Sequence, residues 1–220
     1  MSLIRGAVLI ASLTLASVTP VEAQLTIGAK GGLSIARFTG SSLDRSEWAR
    51  GITGGVFLTS RLAEELSFQA EVMYVRKGAA ISFTHGSMPR SGTLRLDYLE
   101  VPVLLRVDWP QQRLASLHLI GGPAIAIGLK CSFDDDDSVS VACASGGLPL
   151  GTHTLDGGML AGAGLDLDLD GARIVTEVRF AFGLMTIDAD QDIGRTNEAF
   201  TLVMGIAVPV GARVPRAAVR

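Results

Sequence analysis

Two cysteines, Cys131 and Cys143, flank the most acidic stretch of this 220-residue chain. A pair at that spacing in an exported protein favours a structural disulfide. Closing so short a loop contributes about 3 kcal/mol on the chain-entropy view. A metal pair is the rival reading, but no histidine lies between the two thiols. Inside the same stretch, Asp134-Asp135-Asp136-Asp137 could contribute to the about six to eight oxygens that Ca²⁺ takes. No EF-hand spacing surrounds them, and adjacent aspartates point in different directions, so a solvated loop tip is expected. His85-Gly86-Ser87 offers the residue types of a nucleophile and its base, a chemistry that also needs a third, orienting group. It sits among Met88 and Pro89 in a Gly/Pro/Ser-rich stretch expected to be a loop. His118 and His153 have no second ligand at metal spacing. No catalytic, cofactor-binding or metal motif emerges, so neither an enzymatic activity nor a cofactor is expected.

The remaining charged residues of interest are isolated ones: Lys30, Glu71, Glu100, Arg106, Asp166, Glu177 and Arg179. Each lies within an otherwise apolar or glycine-rich segment, where a buried charge must be paired to be tolerated. Whatever holds these segments must therefore bring opposite charges together.

Composition narrows what that scaffold is. Hydrophobic residues make up 48% and charged residues 19%, with a formal net charge of −3, and the mean hydropathy is +0.38. That balance excludes a disordered chain and lacks the basic excess of a phosphate-reading nucleic-acid binder. The 26 glycines show no Gly-X-Y period, which excludes collagen. Residues 1–23 read as a secretory signal: Arg5 begins it, Ala7 to Ala16 form the apolar run, and Val21-Glu22-Ala23 supplies a small-residue cleavage box before Gln24. No later segment has the about 20 consecutive apolar residues of a membrane helix. An exported, apolar chain of this kind is a soluble β protein or an outer-membrane barrel.

Strict period-two alternation decides the element type. Leu66, Phe68, Ala70, Val72 and Tyr74 alternate with Ser67, Gln69, Glu71 and Met73; Leu99 to Trp109, Ile174 to Leu184 and Phe200 to Val208 behave alike. Weaker strands are expected at Leu25–Phe38, Gly51–Ser60, Ser116–Lys130 and Gly158–Leu169. Short connections fall at 62–65, 110–113 and Asp170-Gly171, and long ones at 39–50, 84–93, 131–156 and 187–197. Eight strands with short turns on one side and long loops on the other is the pattern of an outer-membrane barrel. The fold expected is all-β: a single eight-stranded antiparallel up-and-down transmembrane β-barrel over 24–213, with a basic tail at 214–220 and both termini periplasmic. The apolar faces would then meet lipid and the seven isolated charges would pair in the lumen. Tyr74, Tyr98 and Trp109, near the expected strand ends, would form interfacial girdles.

Several stretches also resemble the outer-membrane β-barrel domain of PorT-like and "porin family" proteins. They are Gly28-Ala29-Lys30-Gly31-Gly32-Leu33-Ser34, Gly54-Gly55-Val56-Phe57, Phe68 to Gly78, Leu96-Asp97-Tyr98-Leu99-Glu100-Val101-Pro102, Gly162-Ala163-Gly164-Leu165 and Glu177-Val178-Arg179-Phe180. The resemblance implies a single barrel in the outer membrane of a Gram-negative-type bacterium and no shared reaction. It departs from the pattern at its end, where Val208-Pro209-Val210 and a basic tail stand in place of a terminal aromatic. Expected partners are outer-membrane lipid and the barrel-assembly machinery, with no nucleic acid. The expected role is structural, or interaction and adhesion through the loops, with no open diffusion pore. The alternatives are a lipid-modifying outer-membrane enzyme, a soluble lipocalin-like carrier, and a secretion-apparatus component.

Overall fold

The computed structural model describes residues 25–39, 46–85, 88–110, 114–135, 140–142, 155–185 and 196–210. Its strands are β1 (Leu25–Thr39), β2 (Ser46–Arg61), β3 (Leu66–His85), β4 (Met88–Pro110), β5 (Ala115–Asp135), β6 (Ser140–Ala142), β7 (Leu155–Leu169), β8 (Ala172–Gly183) and β9 (Thr196–Val210). Sequence neighbours pair antiparallel from β1 to β5, then β5 with β7, β7 with β8 and β8 with β9. β9 returns to β1 along its whole length, from Leu25↔Val210 to Thr39↔Thr196. This makes a closed barrel of eight antiparallel strands, as the alternation predicts. The three-residue β6 lies outside that ring and adds only to Ser132–Asp134 of β5.

Closure gives each barrel strand a ladder partner on both sides, which is what permits strands to cross a bilayer at all. Pro102 has no N–H to give, and the β3–β4 ladder skips from Ala70↔Val103 to Met73↔Glu100 around it. Asp170 and Gly171 form the two-residue turn between β7 and β8, with Gly171 at φ 90°, the left-handed conformation such turns require.

The two faces sort as the alternation requires. Outside, Ile27, Val56, Val72, Leu105, Leu119, Ile125, Val178, Leu202 and Ile206 are exposed around the barrel. On a water-soluble protein this apolar belt would be an aggregation surface; against acyl chains it is matched. Trp48, Phe180 and Phe200 form an aromatic patch on that face, with ring centroids 5.7 and 4.7 Å apart in sequence around Phe200. Inside, Lys30, Glu71, Glu100, Arg106, Asp166, Glu177 and Arg179 are all buried.

Three expectations need correction. Tyr98 is not a girdle residue: it lies in the lumen, 2% exposed, because β4 begins at Met88 and Tyr98 shares the parity of inward Glu100. The stretch 84–93 is not a long loop. β3 and β4 stay paired through Thr84↔Pro89 and His85↔Met88, so local Gly, Pro and Ser content was overridden by the ladder. Asp134 is not a free loop-tip charge but a β5 residue in an ion pair with Arg95. Ser87, Asp136 and Asp137, His153, Cys143 and the segments before 25 and after 210 lie outside the described residues, and His85 lies outside the described side chains.

Candidate functional site

The lumen is built by alternate residues of all eight barrel strands, and its contents form tiers. At mid-height, Lys30 on β1, Glu71 on β3, and Glu177 and Arg179 on β8 meet in one cluster. Lys30 Nζ donates to Glu71 Oε1 at 2.8 Å and to Glu177 Oε2 at 3.0 Å. Arg179 Nη1 and Nη2 donate to the two oxygens of Glu71 at 2.8 and 2.7 Å, and its Nε donates to Glu177 Oε2 at 2.8 Å. Gln69 Nε2 adds a bond to Glu71 Oε1 at 2.6 Å. Two cations and two anions balance, and the bidentate Arg179–Glu71 pair is the strongest geometry available to such groups.

Towards the short turns, Arg106 bridges Asp108, at 2.6 Å from Oδ1, and Asp166. Ser67 Oγ reaches Asp108 Oδ2 at 3.3 Å, and Arg173 pairs with Asp168 at 2.7 Å. His118 sits between this tier and the middle one. Its Nε2 is 3.3 Å from Glu177 Oε1 and its Nδ1 is 3.4 Å from Asp166 Oδ1. Across the β5–β7 pair its neighbour is Gly164, and a Cβ there would collide with the imidazole ring. The glycine is what lets the ring lie flat in the lumen.

Towards the long loops, Glu100 accepts from Lys77 Nζ at 2.5 Å, and Lys77 also lies over the Tyr98 ring at 5.4 Å. Asn197 Nδ2 then donates to Asp156 Oδ2 at 3.1 Å. Beside Lys77 and Glu100 the lumen leaves cavities of about 20 Å³, room for about one water each. At the short-turn mouth a cavity of about 370 Å³ opens, with Arg61, Ser67, Arg106, Asp108, Asp168 and Arg173 among its lining residues.

Of the seven charges singled out in the sequence, the structure brings four into one cluster, joins Arg106 to Asp166, and gives Glu100 a partner, Lys77. Lys77 was missed because β3 runs beyond Tyr74; carrying the period onward from Glu71 through Met73 and Val75 leads to it. The neighbours of His118 were missed because sequence spacing does not show them. Asp108 is its register partner across β4–β5, and Asp166 arrives from β7. Cys131 lies on β5 opposite Leu96.

The sequence of residues 17–189 matches the outer membrane protein beta-barrel domain. The chain belongs to this family. An outer membrane β-barrel protein resides in the bacterial outer membrane, which accounts for the apolar belt. No curated protein sequence matches the chain. Among solved structures, OprG of Pseudomonas aeruginosa is similar at 10% identity and a TM-score of 0.54, covering 86% of this chain and 98% of OprG. Neisserial surface protein A matches at 12% identity and a TM-score of 0.49, covering 84% of this chain and 97% of its own. Ail, the attachment invasion locus protein of Yersinia pestis, was solved with the heparin analogue sucrose octasulfate. It matches at 12% identity and a TM-score of 0.43, covering 84% of this chain and 99% of Ail. The likeness to OprG supports the barrel fold of this outer membrane protein and nothing about its ligands.

Proposed function

We propose that this outer-membrane barrel is closed to diffusion and works by binding at its long-loop end, neither transporting nor catalysing, with both termini in the periplasm. The observation that carries the reading is the mid-lumen cluster of Lys30, Glu71, Glu177 and Arg179, which spans from β1 and β3 to β8. An eight-stranded lumen is only wide enough to be filled by side chains, and these are held by charge-assisted bonds on both sides.

The long-loop end supports the other half. A bilayer needs about 9–11 residues of a tilted strand, whereas β3 has 20 residues and β4 has 23. The surplus lies on the side away from the short turns, so the β3–β4 hairpin projects beyond the belt as a stiff ribbon. Arg76–Asp97 at 2.7 Å and Arg37–Glu198 at 2.8 Å brace the strands near this end. A projecting, paired ribbon presents a fixed surface to a partner at little ordering cost.

Planar-bilayer recording of the purified barrel tests closure: no stable large ohmic steps are expected, and such steps would overturn it. Bacteria carrying the protein with residues 80–91 replaced by a two-residue turn should keep the heat-modifiable gel shift of a folded barrel and lose surface attachment. Unchanged attachment would refute the binding role. An epitope tag after Val210 should be inaccessible to antibody on intact cells; labelling would reverse the orientation.

A further inference from the structure

We propose that Asp108, His118 and Asp166 form a site for one divalent first-row transition cation, of the Zn²⁺ type, at the short-turn mouth of the lumen. One ligand atom from each of the three lies within 4.8 Å of the others. His118 and Asp166 are 1% and 0% exposed, yet His118 Nδ1 and Asp166 Oδ1 have no hydrogen-bond partner. The two atoms face each other at 3.4 Å without a hydrogen bond between them. Orphaned buried polar atoms are costly, and here two point at the same place.

The spacing fits a metal. Nitrogen and oxygen ligands each about 2.0–2.1 Å from a tetrahedral zinc lie about 3.3–3.4 Å apart. The other imidazole nitrogen, Nε2, stands 3.3 Å from Glu177 Oε1. A carboxylate on the far nitrogen holds the proton there and leaves Nδ1 as the ligand atom, the arrangement that supports most metal-bound histidines. Neither arginine occupies Asp166 Oδ1, since Arg106 and Arg173 both reach Asp166 through Oδ2, and Arg106 takes Asp108 through Oδ1, leaving Oδ2 with only the Ser67 hydroxyl at 3.3 Å. Arg106 orients both carboxylates instead.

Charge points the same way. The mid-lumen quartet is neutral, and Arg173 is shared between Asp168 at 2.7 Å and Asp166 at 3.4 Å. Asp108 and Asp166 share Arg106, and Arg173 reaches Asp166 only at 3.4 Å through Oδ2, so Asp166 Oδ1 keeps a lone pair that a cation would stabilise. A donor set of one imidazole and two carboxylates suits Zn²⁺ and its neighbours better than Ca²⁺. The cavity of about 370 Å³ reaches Asp108 from the short-turn end, so an ion and a water ligand have an access route.

The test uses the full mature barrel refolded in detergent, stripped with chelator and titrated with Zn²⁺ by calorimetry and with Co²⁺ by visible absorption. One ion per barrel and a Co²⁺ ligand-field band are expected. Asp108→Asn should weaken binding about tenfold or more, and His118→Gln should abolish the band. The double variant His85→Ala/His153→Ala removes the other two histidines of the chain and should bind as the unaltered barrel does. Unheated gel mobility reports folding; should His118→Gln fail to fold, Asp108→Asn decides alone. No saturable binding, binding unaffected by Asp108→Asn, or binding lost in the double histidine variant would each overturn the site and leave His118 as a packing residue between two carboxylates.

Discussion

Midway along the lumen, Lys30 and Arg179 face Glu71 and Glu177, and every carboxylate oxygen of the two glutamates has a cationic or imidazole neighbour. At the short-turn mouth Arg106 serves Asp108 and Asp166, Arg173 reaches Asp166 and Asp168, and an oxygen and a nitrogen are still left over. Both regions use isolated charges on alternating strands. The first is complete; the second leaves two buried polar atoms unbonded and lies beside a cavity. The contrast shows that burial of charge in a barrel does not have a single meaning: completeness of pairing separates the structural cluster from the one with chemistry to spare.

The comparison is broken most severely at the centre. Glu71→Ala leaves Lys30 and Arg179 sharing one glutamate, and removing one partner of a buried pair costs about 3–5 kcal/mol. A fall of that size in folding stability, read from urea titration in lipid vesicles, is expected; a loss under about 1 kcal/mol would mean that water already solvates the centre. The next largest effect comes from the outer surface. Val178 lies between Glu177 and Arg179 in sequence but faces outward, 57% exposed. Val178→Arg should cost about 2–4 kcal/mol if that position is near the bilayer midplane, measured the same way and compared with Ala181→Arg on the inner face. The inner change being the more damaging would argue that bulk, not charge, limits the barrel.

At the mouth, Asp108→Asn removes one of two anions from Arg106 while Asp166 remains, so about 1–2 kcal/mol is expected, smaller than the Glu71→Ala loss. Equal losses would erase the distinction drawn between the two regions. The mildest change is Arg37→Ala. Its pair with Glu198 has side chains 42% and 24% exposed, and such pairs contribute about 0–1 kcal/mol.

Much of this was legible from alternation alone. Glu177 inward and Val178 outward follow from one period-two register, and the same register carries Lys30, Arg106 and Asp166 to the lumen. What alternation does not supply is strand length. Reading β3 only to Tyr74 hid Lys77, the partner of Glu100, and reading β4 from Leu99 let Tyr98 pass for a girdle residue. Both errors arose because turn-forming residues near Pro89 looked like a loop, while the β3–β4 ladder held them as strand. Nor does one sequence show which residues of different strands lie opposite each other, which is why His118 looked solitary.

The expected disulfide has a further physical argument. The β5–β6 ladder pairs Ser132 with Ala142 and Phe133 with Val141, so the chain returns beside the strand that carries Cys131. Mass spectrometry without reductant should find Cys131 and Cys143 linked, and the bridge should be dispensable for the heat-modifiable gel shift, because Cys131 lies past Ile127, where the β5–β7 ladder ends. Two free thiols in the exported protein would refute it.

The seam between β1 and β9 carries a kinetic consequence. It joins the first and last strands of the ring, so it has the greatest sequence separation of any ladder and the largest entropic barrier to formation. Zipping it must therefore be the final event of assembly, and until then two unpaired edges invite pairing with other chains. Afterwards the situation reverses: no strand can peel away without stripping an entire ladder inside lipid, where the freed groups find no water. Persistence of the folded barrel is then set by the rate of opening that seam, a quantity separate from its equilibrium stability.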